Sequence, residues 1–531
     1  MPETLRCTQD NAIVTGWDFS TGSVKCVAFE LRGNIVAQVS MPTDLWYGTP
    51  DEAGKIDDFG IVELNLMQLE GQARASTRAI AAQLRRKKRL QDWVAGGISG
   101  THHTAGRIDK SAVQIRRAIC WNDRTLADCR RRGEKRLGGK KKVRELIGGP
   151  WADRYTLSHL VKDEDPQFCP PEAWKQTHRI LPHGPLAAGF LTGNFDCTSV
   201  SAAASTGIMD LRTGRWCYEM LNALKSDEYR KLARKQLPKI VDHYQSLGPL
   251  AEHLCVENGM PTKDAPLIFP TSDDQQAGLV GGGAVDDGQM AIILGNSAVV
   301  NSSSDAPPSG DSLDVMKLNW GPYLWMRCYS NGAYFVDRVV GKQPHWTGDD
   351  WAKLEAAAEK AKPAAEGHEI FPFSEPEPSL GISREQAGVL WLNNEPKQPG
   401  HRYRSAMEGL AYLIALGVEA HEKAAGRRIE DISLSGGMAR SDLMCRILAS
   451  VLNRPLKRLK SSEGPAQGAA VTAVAAYESH LRKAKGIKAK YTVADAVEQM
   501  VRFAKPVQPV AEWVNDYQRG LKSFRRMVKV S

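Results

Sequence analysis

Three short stretches gather residue types that could handle a phosphate and a proton, and they lie far apart in the chain. The first, GWDFSTGSVK at 16–25, sets one carboxylate, three hydroxyls and a base in a turn between two apolar runs. Backbone amides at Ser20, Thr21, Gly22 and Ser23 can form an anion-binding concavity. Lys25 can add a cation, and Asp18 at the strand end can hold a hydrated Mg2+. The same residues would equally serve a capped hairpin turn. The stretch is neither a P-loop, which needs G-x-x-x-x-G-K-[ST], nor a G-x-G-x-x-G dinucleotide turn. The second, TSDDQQAGLVGGG at 271–283, places Asp273 and Asp274 at the start of a helix-like segment that ends in glycines. An acidic first turn also suits an N-cap and the helix dipole, and capping is the expected role of Asp273. The third, ISGTHHTAGRID at 98–109, carries His102 and His103 in tandem after an apolar strand. A neutral imidazole can donate to one hydroxyl oxygen and accept from another, which suits a polyol.

The elements that must position these residues follow from hydrophobic periodicity. Residues 12–39 predict a meander with strands near 12–17, 24–30 and 35–39, and a helix near 61–90 precedes the buried strand WVAGGIS, which ends at Gly100. Helical patterns dominate 123–190, closed by the Gly-punctuated GFLTGNF. A second start appears at 290–304, where MAIILGNSAVVNSSSD again reads strand, small polar turn, strand. An ancestral duplication of a phosphate-holding hairpin would leave this pattern, with a domain boundary near GGGAVDDG at 281–288. The Pro- and acid-rich stretch 341–403 is expected to make surface excursions inside the second domain. Helical residues 404–424, the strand DISLS at 431–435, Gly436 and Gly437, and a helix near 440–452 follow.

A chain of 531 residues is too long for one core and predicts two domains of roughly 200–280 residues, or three smaller ones. With 42% hydrophobic and 25% charged residues it is neither disordered nor membrane-like, and no apolar run is long enough to span a bilayer. The polar start MPETLRCTQDNAIV lacks the order of a signal peptide, so a cytoplasmic protein is expected. Ten scattered cysteines without a C-x-x-C pair argue against a zinc site and a disulfide framework. The net charge of +9 sits partly in the runs RRKKR, CRRRGEKR and GGKKKVR, which lack interleaved aromatics. These read as solvated helix faces rather than a nucleic-acid groove, and a modest positive field favours anionic substrates such as nucleotides.

Six blocks, in order from about residue 12 to 477, resemble the carbohydrate kinases of the FGGY family, in the actin-like ATPase superfamily. GWDFSTGSVK is similar to the family's G-x-D-x-G-T-x-S-x-(K/R) phosphate turn, AICWNDRT at 118–125 to its W-x-D-x-R-T stretch, and FLTGNF…STGIMDLRTGRW at 190–216 to its L-T-G…D…T-G-x-W block. DDQQAGLVGGG resembles its G-D-x-Q-A-A-L-x-G-x-G stretch, LGNSAVV its G-T-S turn, and SGGMARSDLMCRILASVLNRPL…EGPAQGAAVTA its nucleotide-domain ending. The resemblance implies an α/β fold of two actin-like (ribonuclease H-like) domains, 1–285 and 286–531, each a mixed five-stranded sheet flanked by helices, with the active site in the interdomain cleft. It implies ATP and Mg2+, with Asp274 as the general base on a sugar hydroxyl and Asp18 organising Mg2+ and the γ-phosphate among Ser20, Thr21, Gly22, Ser23 and Lys25. Gly295, Asn296 and Ser297 would meet the phosphates, and Gly436, Gly437 and Met438 would lie near the adenosine. Ser20, Asn296 and Asp273 depart from the family's Gly, Thr and Gly, and Ser20 would cost backbone freedom if its position needs a positive φ.

Substrate choice turns on residues 101–103. Glycerol kinases carry adjacent Arg and Glu where this chain has His102 and His103, whereas xylulokinases carry G-Q-M-H-G, whose His falls on His103. Trp121 and Asp123 are candidates to wall the same pocket. A xylulose-like ketopentose is therefore the expected acceptor, with another ketose, a polyol such as erythritol, ribitol or glycerol, or a non-catalytic sugar sensor as alternatives. The expected partners are a small sugar or polyol and ATP, with a homodimer as the candidate assembly and neither nucleic acid nor membrane.

Overall fold

The computed structural model describes residues 6–48, 60–310, 312–391, 394–461 and 463–530, so the first five residues of the polar start lie outside the described residues. Contacts divide the chain into two units. One comprises Met1–Gly281, Val315–Leu324 and Pro465–Val501, and the other Gly282–Asp314, Trp325–Gly464 and Arg502–Ser531.

In the first unit the opening meander forms β1 (Ile13–Phe19), β2 (Ser23–Glu30) and β3 (Ile35–Pro42). Helix α1 (Leu66–Arg86) follows, capped by Asn65, whose side chain accepts from the Met67 amide at 3.0 Å. Strand β4 (Trp93–Gly100) returns parallel to β1, and β5 (Leu267–Ile268) and β6 (Ser272–Asp273) run parallel to β4. The central order is β5-β4-β1-β2-β3. Side chains alternate across a strand, so Trp17 and Phe19 of β1 enter the core, where the Trp17 indole N–H donates to Ser76 of α1 at 3.2 Å. Gly16 and Asp18 therefore share the opposite face. Asp273 ends β6 and Asp274 opens α2 (Asp274–Gly281).

The second unit repeats the plan. Strands β7 (Gln289–Leu294) and β8 (Ala298–Ser304) form an antiparallel hairpin, β9 (Tyr323–Tyr329) neighbours β8, and helices α3 (Ala333–Val340) and α4 (Pro399–Ala425) follow. Strand β10 (Asp431–Ser435) then returns parallel to β7, α5 (Asp442–Leu452) follows, and β11 (Lys457–Arg458) lies beyond β10. The order β11-β10-β7-β8-β9 matches β5-β4-β1-β2-β3 strand for strand, as a duplicated hairpin predicts.

Helix α6 (Gly464–Ala484), from its second residue onward, belongs to the first unit although it comes late in the chain. It lies on the Gly16 face at backbone contact: a Cβ on Gly16 would fall 1.7 Å from the Ala466 carbonyl oxygen, and one on Gly97 would fall 2.0 Å from that of Ala469. The small residues of GPAQGAAVTAVAA let the helix come this close. Glu478 on α6 also accepts the amides of Cys7 and Thr8, both at 2.8 Å. The last helix, α7 (Ala511–Val530), buries Tyr517, Leu521 and Phe524 in the core of the second unit.

Three features differ from the sequence reading, the first being that the two main sheets hold seven and six strands where five each were expected, because short edge strands extend both. The stretch 341–403 is not all surface, because IFPF at Ile370–Phe373 is a buried strand that pairs with Gly388–Trp391 in the second unit's core. A four-residue apolar run containing proline gave no strand signal. The first unit also holds a second sheet that includes Ala105–Ile108, Gln114–Ile119 and Arg179–Pro182. Arginines of the CRRRGEKR run pair with acids: Arg131 with Asp128 at 3.0 Å and Arg136 with Glu164 at 2.9 Å. Among the described residues no helix is long and apolar enough to cross a membrane.

Candidate active site

The carboxyl ends of the parallel strands β1, β4 and β6 bring the first unit's chemistry together, as parallel sheets commonly do. Register sets Asp18 beside Ser99 and Asp273 beside Gly100. Ser99, on the same face as Gly97, donates its hydroxyl to Asp18 Oδ1 at 3.0 Å. The chain leaving β4 places the His102 amide 3.3 Å from Asp274 Oδ1, and His102 Nδ1 lies 3.8 Å from Asp273 Oδ1.

The two adjacent aspartates have different environments. Asp273 is the cap: its Oδ1 accepts from the Gln275 and Gln276 amides at 2.9 Å each, an interaction worth about 1 kcal/mol at a typical N-cap. Its other oxygen accepts the Ser201 hydroxyl, and its own amide donates back to Ser201 Oγ at 3.0 Å. Asp274 is half-buried with fewer donors. Burial first, then the charges of Asp273 and Asp18, push its carboxyl up to about 8. A base with a pKa near working pH is well matched to proton abstraction. His102, Asp273 and Asp274 offer ligand atoms within 4.8 Å of one another, but three donors already occupy the Asp273 carboxylate.

His103 sits at φ 62°, a left-handed conformation that costs about 1–2 kcal/mol for a residue with a side chain. Its ring is stacked between His102 at 3.7 Å and Tyr155 at 4.5 Å, which holds that backbone in place. Nδ1 lies 3.1 Å from the Ser205 carbonyl oxygen. A carbonyl only accepts, so Nδ1 bears the proton and Nε2, which has no hydrogen-bond partner among the described residues, is an acceptor. Burial holds the ring neutral, with its pKa well below the ordinary histidine value.

The β1–β2 turn is closed by its own serine. Ser20 donates its amide to the Ser23 carbonyl at 2.9 Å and its hydroxyl at 2.8 Å, and its Oγ accepts the Ser23 amide at 3.2 Å. Two of the four amides in the predicted concavity thus close the turn itself, leaving those of Thr21 and Gly22. Ser20 is not among the positive-φ residues, so the backbone does not require the family's glycine there. Lys25 lies opposite Asp18 across the hairpin. Asp123 binds the amides of Val62 at 3.1 Å and Thr125 at 2.9 Å and lies 3.6 Å from Lys162, so its carboxylate holds a local turn. Trp121, in the turn before it, is 46% exposed.

In the second unit the β7–β8 turn holds Gly295, Asn296 and Ser297, closed by the Gly295 amide on the Ser297 carbonyl at 3.1 Å. Helix α3 begins on this turn, with the Ala333 amide donating to the Gly295 carbonyl at 2.8 Å. Gly436 follows β10 at φ 92°, and a Cβ there would fall 2.5 Å from the Leu294 carbonyl oxygen at the end of β7. Only glycine allows this approach, which brings Gly436, Gly437 and Met438 next to the end of β7. Sequence reasoning missed Ser99, Ser201 and Tyr155, each of which acts through a partner distant in the chain.

Family models match both halves of this arrangement: the N-terminal domain of the FGGY family of carbohydrate kinases over residues 13–281 and its C-terminal domain over 338–477. The chain belongs to this family, and so is a phosphotransferase that uses ATP on an alcohol group of a sugar or polyol. It is similar to a xylulose kinase of Escherichia coli, 27% identical over 466 residues, covering 86% of this chain and 88% of that one. Its fold is similar to that of a ligand-bound xylulose kinase from Lactobacillus acidophilus, with a TM-score of 0.78, 18% identity and 98% of both chains covered. A gluconate kinase of the same organism has a TM-score of 0.77 at 18% identity, again over 98% of both chains.

Proposed function

We propose that the chain transfers the γ-phosphate of ATP to a hydroxyl of a ketopentose, xylulose-like, with Asp274 as the general base. The observation that carries this reading is the Asp274 carboxylate, raised to about 8 and held by the His102 amide beside Asp18. Asp274 takes the proton of the acceptor hydroxyl as its oxygen attacks phosphorus. Positioning and charge neutralisation supply most of the rate in phosphoryl transfer. The His103 Nε2 acceptor takes a second sugar hydroxyl, and the stack on Tyr155 fixes that ring. Asp18, a half-buried carboxylate with Ser99 on one oxygen, fits the demand of Mg2+ for one or two carboxylates beside water and phosphate oxygens. Bound there, Mg2+ would supply neutralising charge for the phosphates. Thr21, Gly22 and Lys25, with Gly295, Asn296 and Ser297, are assigned to phosphate, and Gly436, Gly437 and Met438 to adenosine.

ADP release measured over ketopentoses, ketohexoses, glycerol and tetritols tests the reading. Xylulose should give the highest kcat/KM, while a panel in which no sugar raises ADP release would leave a non-catalytic sensor. Because Asp274 must be ionised, kcat/KM for the sugar should fall about tenfold per pH unit below about 8 and level off above it. A flat profile from pH 6 to pH 9, spanning that value, would count against Asp274 as the base. His103→Ala should raise the sugar KM by about 10–100-fold, since it removes a buried polar contact to substrate, and leave the KM for ATP alone. Equal effects on both constants would move His103 out of the sugar site.

A further inference from the structure

Asn319 lies between β8 and β9 in sequence, in the segment Val315–Leu324 that belongs to the first unit. It makes three hydrogen bonds around the two aspartates. Its side-chain amide donates to the Thr271 carbonyl at 2.9 Å, its side-chain oxygen accepts the Ser201 amide at 2.9 Å, and its own amide donates to Gln276 Oε1 at 2.8 Å. Gln276 in turn donates to Ser272 Oγ at 2.6 Å, and Ser201 carries its hydroxyl to Asp273. Thr271 precedes the aspartate pair and Gln276 follows it, so one residue fixes both sides of the turn from which Asp274 projects. Asn319 and these partners are all buried. Losing the Asn319 side chain would leave the buried Thr271 carbonyl and Ser201 amide without these partners, a state proteins avoid.

From this geometry we infer that Asn319 is a positioning residue for the base: it sets the direction of the Asp274 carboxylate through Thr271, Ser201 and Gln276. The inference rests on the reading of Asp274 as base. A base displaced by about 1 Å commonly costs up to about 100-fold, so Asn319→Ala should lower kcat by roughly 10–100-fold with little change in the KM for ATP. Asn319→Asp keeps the acceptor for Ser201, loses the donor to Thr271 and adds a negative charge near the pair. The added charge should move the acid limb of the pH profile to higher pH, while the fall in kcat at an unchanged KM for ATP is the effect that a merely structural role would not give.

The test is to measure kcat, both KM values and the pH profile for the two variants, with amide hydrogen exchange of residues 271–281 as a readout independent of turnover. Faster exchange confined to that segment, with a lower kcat and a shifted acid limb, is the expected result. Wild-type exchange in both variants would overturn the inference even if no sugar proved to be a substrate, and so would an unchanged kcat and pH profile. If Asn319→Ala fails to fold, Asn319→Asp decides the question alone. Loss of sugar-dependent turnover in the wild type would instead overturn the assignment of Asp274, leaving the exchange result to judge Asn319.

Discussion

Asp274→Asn should lower kcat by about 10²–10⁴-fold, the usual weight of a positioned general base, while ATP affinity stays close to wild type. The same change should stabilise the folded protein in alkaline buffer. Folded Asp274 keeps its proton from its ordinary value of 3.8 up to about 8, whereas the unfolded chain loses it near the lower value. Across that window the folded state binds more protons, so the contribution of Asp274 to wild-type stability falls as pH rises. Asparagine does not titrate and leaves Asp273 and Asp18 without a third buried charge. Thermal unfolding at pH 6 and pH 9, together with turnover, checks both halves. A variant that keeps its turnover would refute the base, and one that loses stability at pH 9 would refute the electrostatic account of the raised pKa.

Gly16→Ala should be the most damaging small change in the first unit. The added methyl would meet the Ala466 carbonyl oxygen at 1.7 Å, and both sides of that contact are backbone. Overpacking usually costs about 1–3 kcal/mol when side chains can shift, and here about 3 kcal/mol or more is expected. For a unit of more than 300 residues, that corresponds to roughly 4–5 °C in Tm. Gly71→Ala is the control, since a methyl there, in the second turn of α1, meets nothing within 4 Å. It should stabilise the protein by about 0.5–1 kcal/mol. Calorimetry on both variants separates the two outcomes, and a harmless Gly16→Ala would show that α6 does not sit on the sheet.

Local signals in the sequence carried a good part of the fold and site. Both hairpins, the strands ending at Gly100 and Ser435 and the helix after Asp273 follow from period-two and period-3.6 patterns, and they place Asp18, His102, His103 and Asp274 at the ends of strands. The capping role of Asp273 was legible for the same reason, because a cap is decided within three residues. What stayed hidden is non-local. Ser201 reaches Asp273 across 72 positions, and Asn319 reaches Ser201 across 118. No periodicity encodes such pairs, and serine and asparagine look alike whether they face solvent or a buried carboxylate. Ser20 shows the converse: its departure from glycine looked costly by family pattern, yet its own hydroxyl closes the turn at an ordinary φ.

The return of α6 to the first unit also bears on how the protein is made. Ribosomes add about 5–20 residues per second, so the helix emerges roughly 10–40 s after residue 281. Until then Gly16 and Gly97 face no helix, and the amides of Cys7 and Thr8 lack Glu478. The half of the molecule translated first is therefore the half that must wait for the other to be synthesised, leaving the Gly16 and Gly97 face of its sheet open to chaperones and to neighbouring nascent chains.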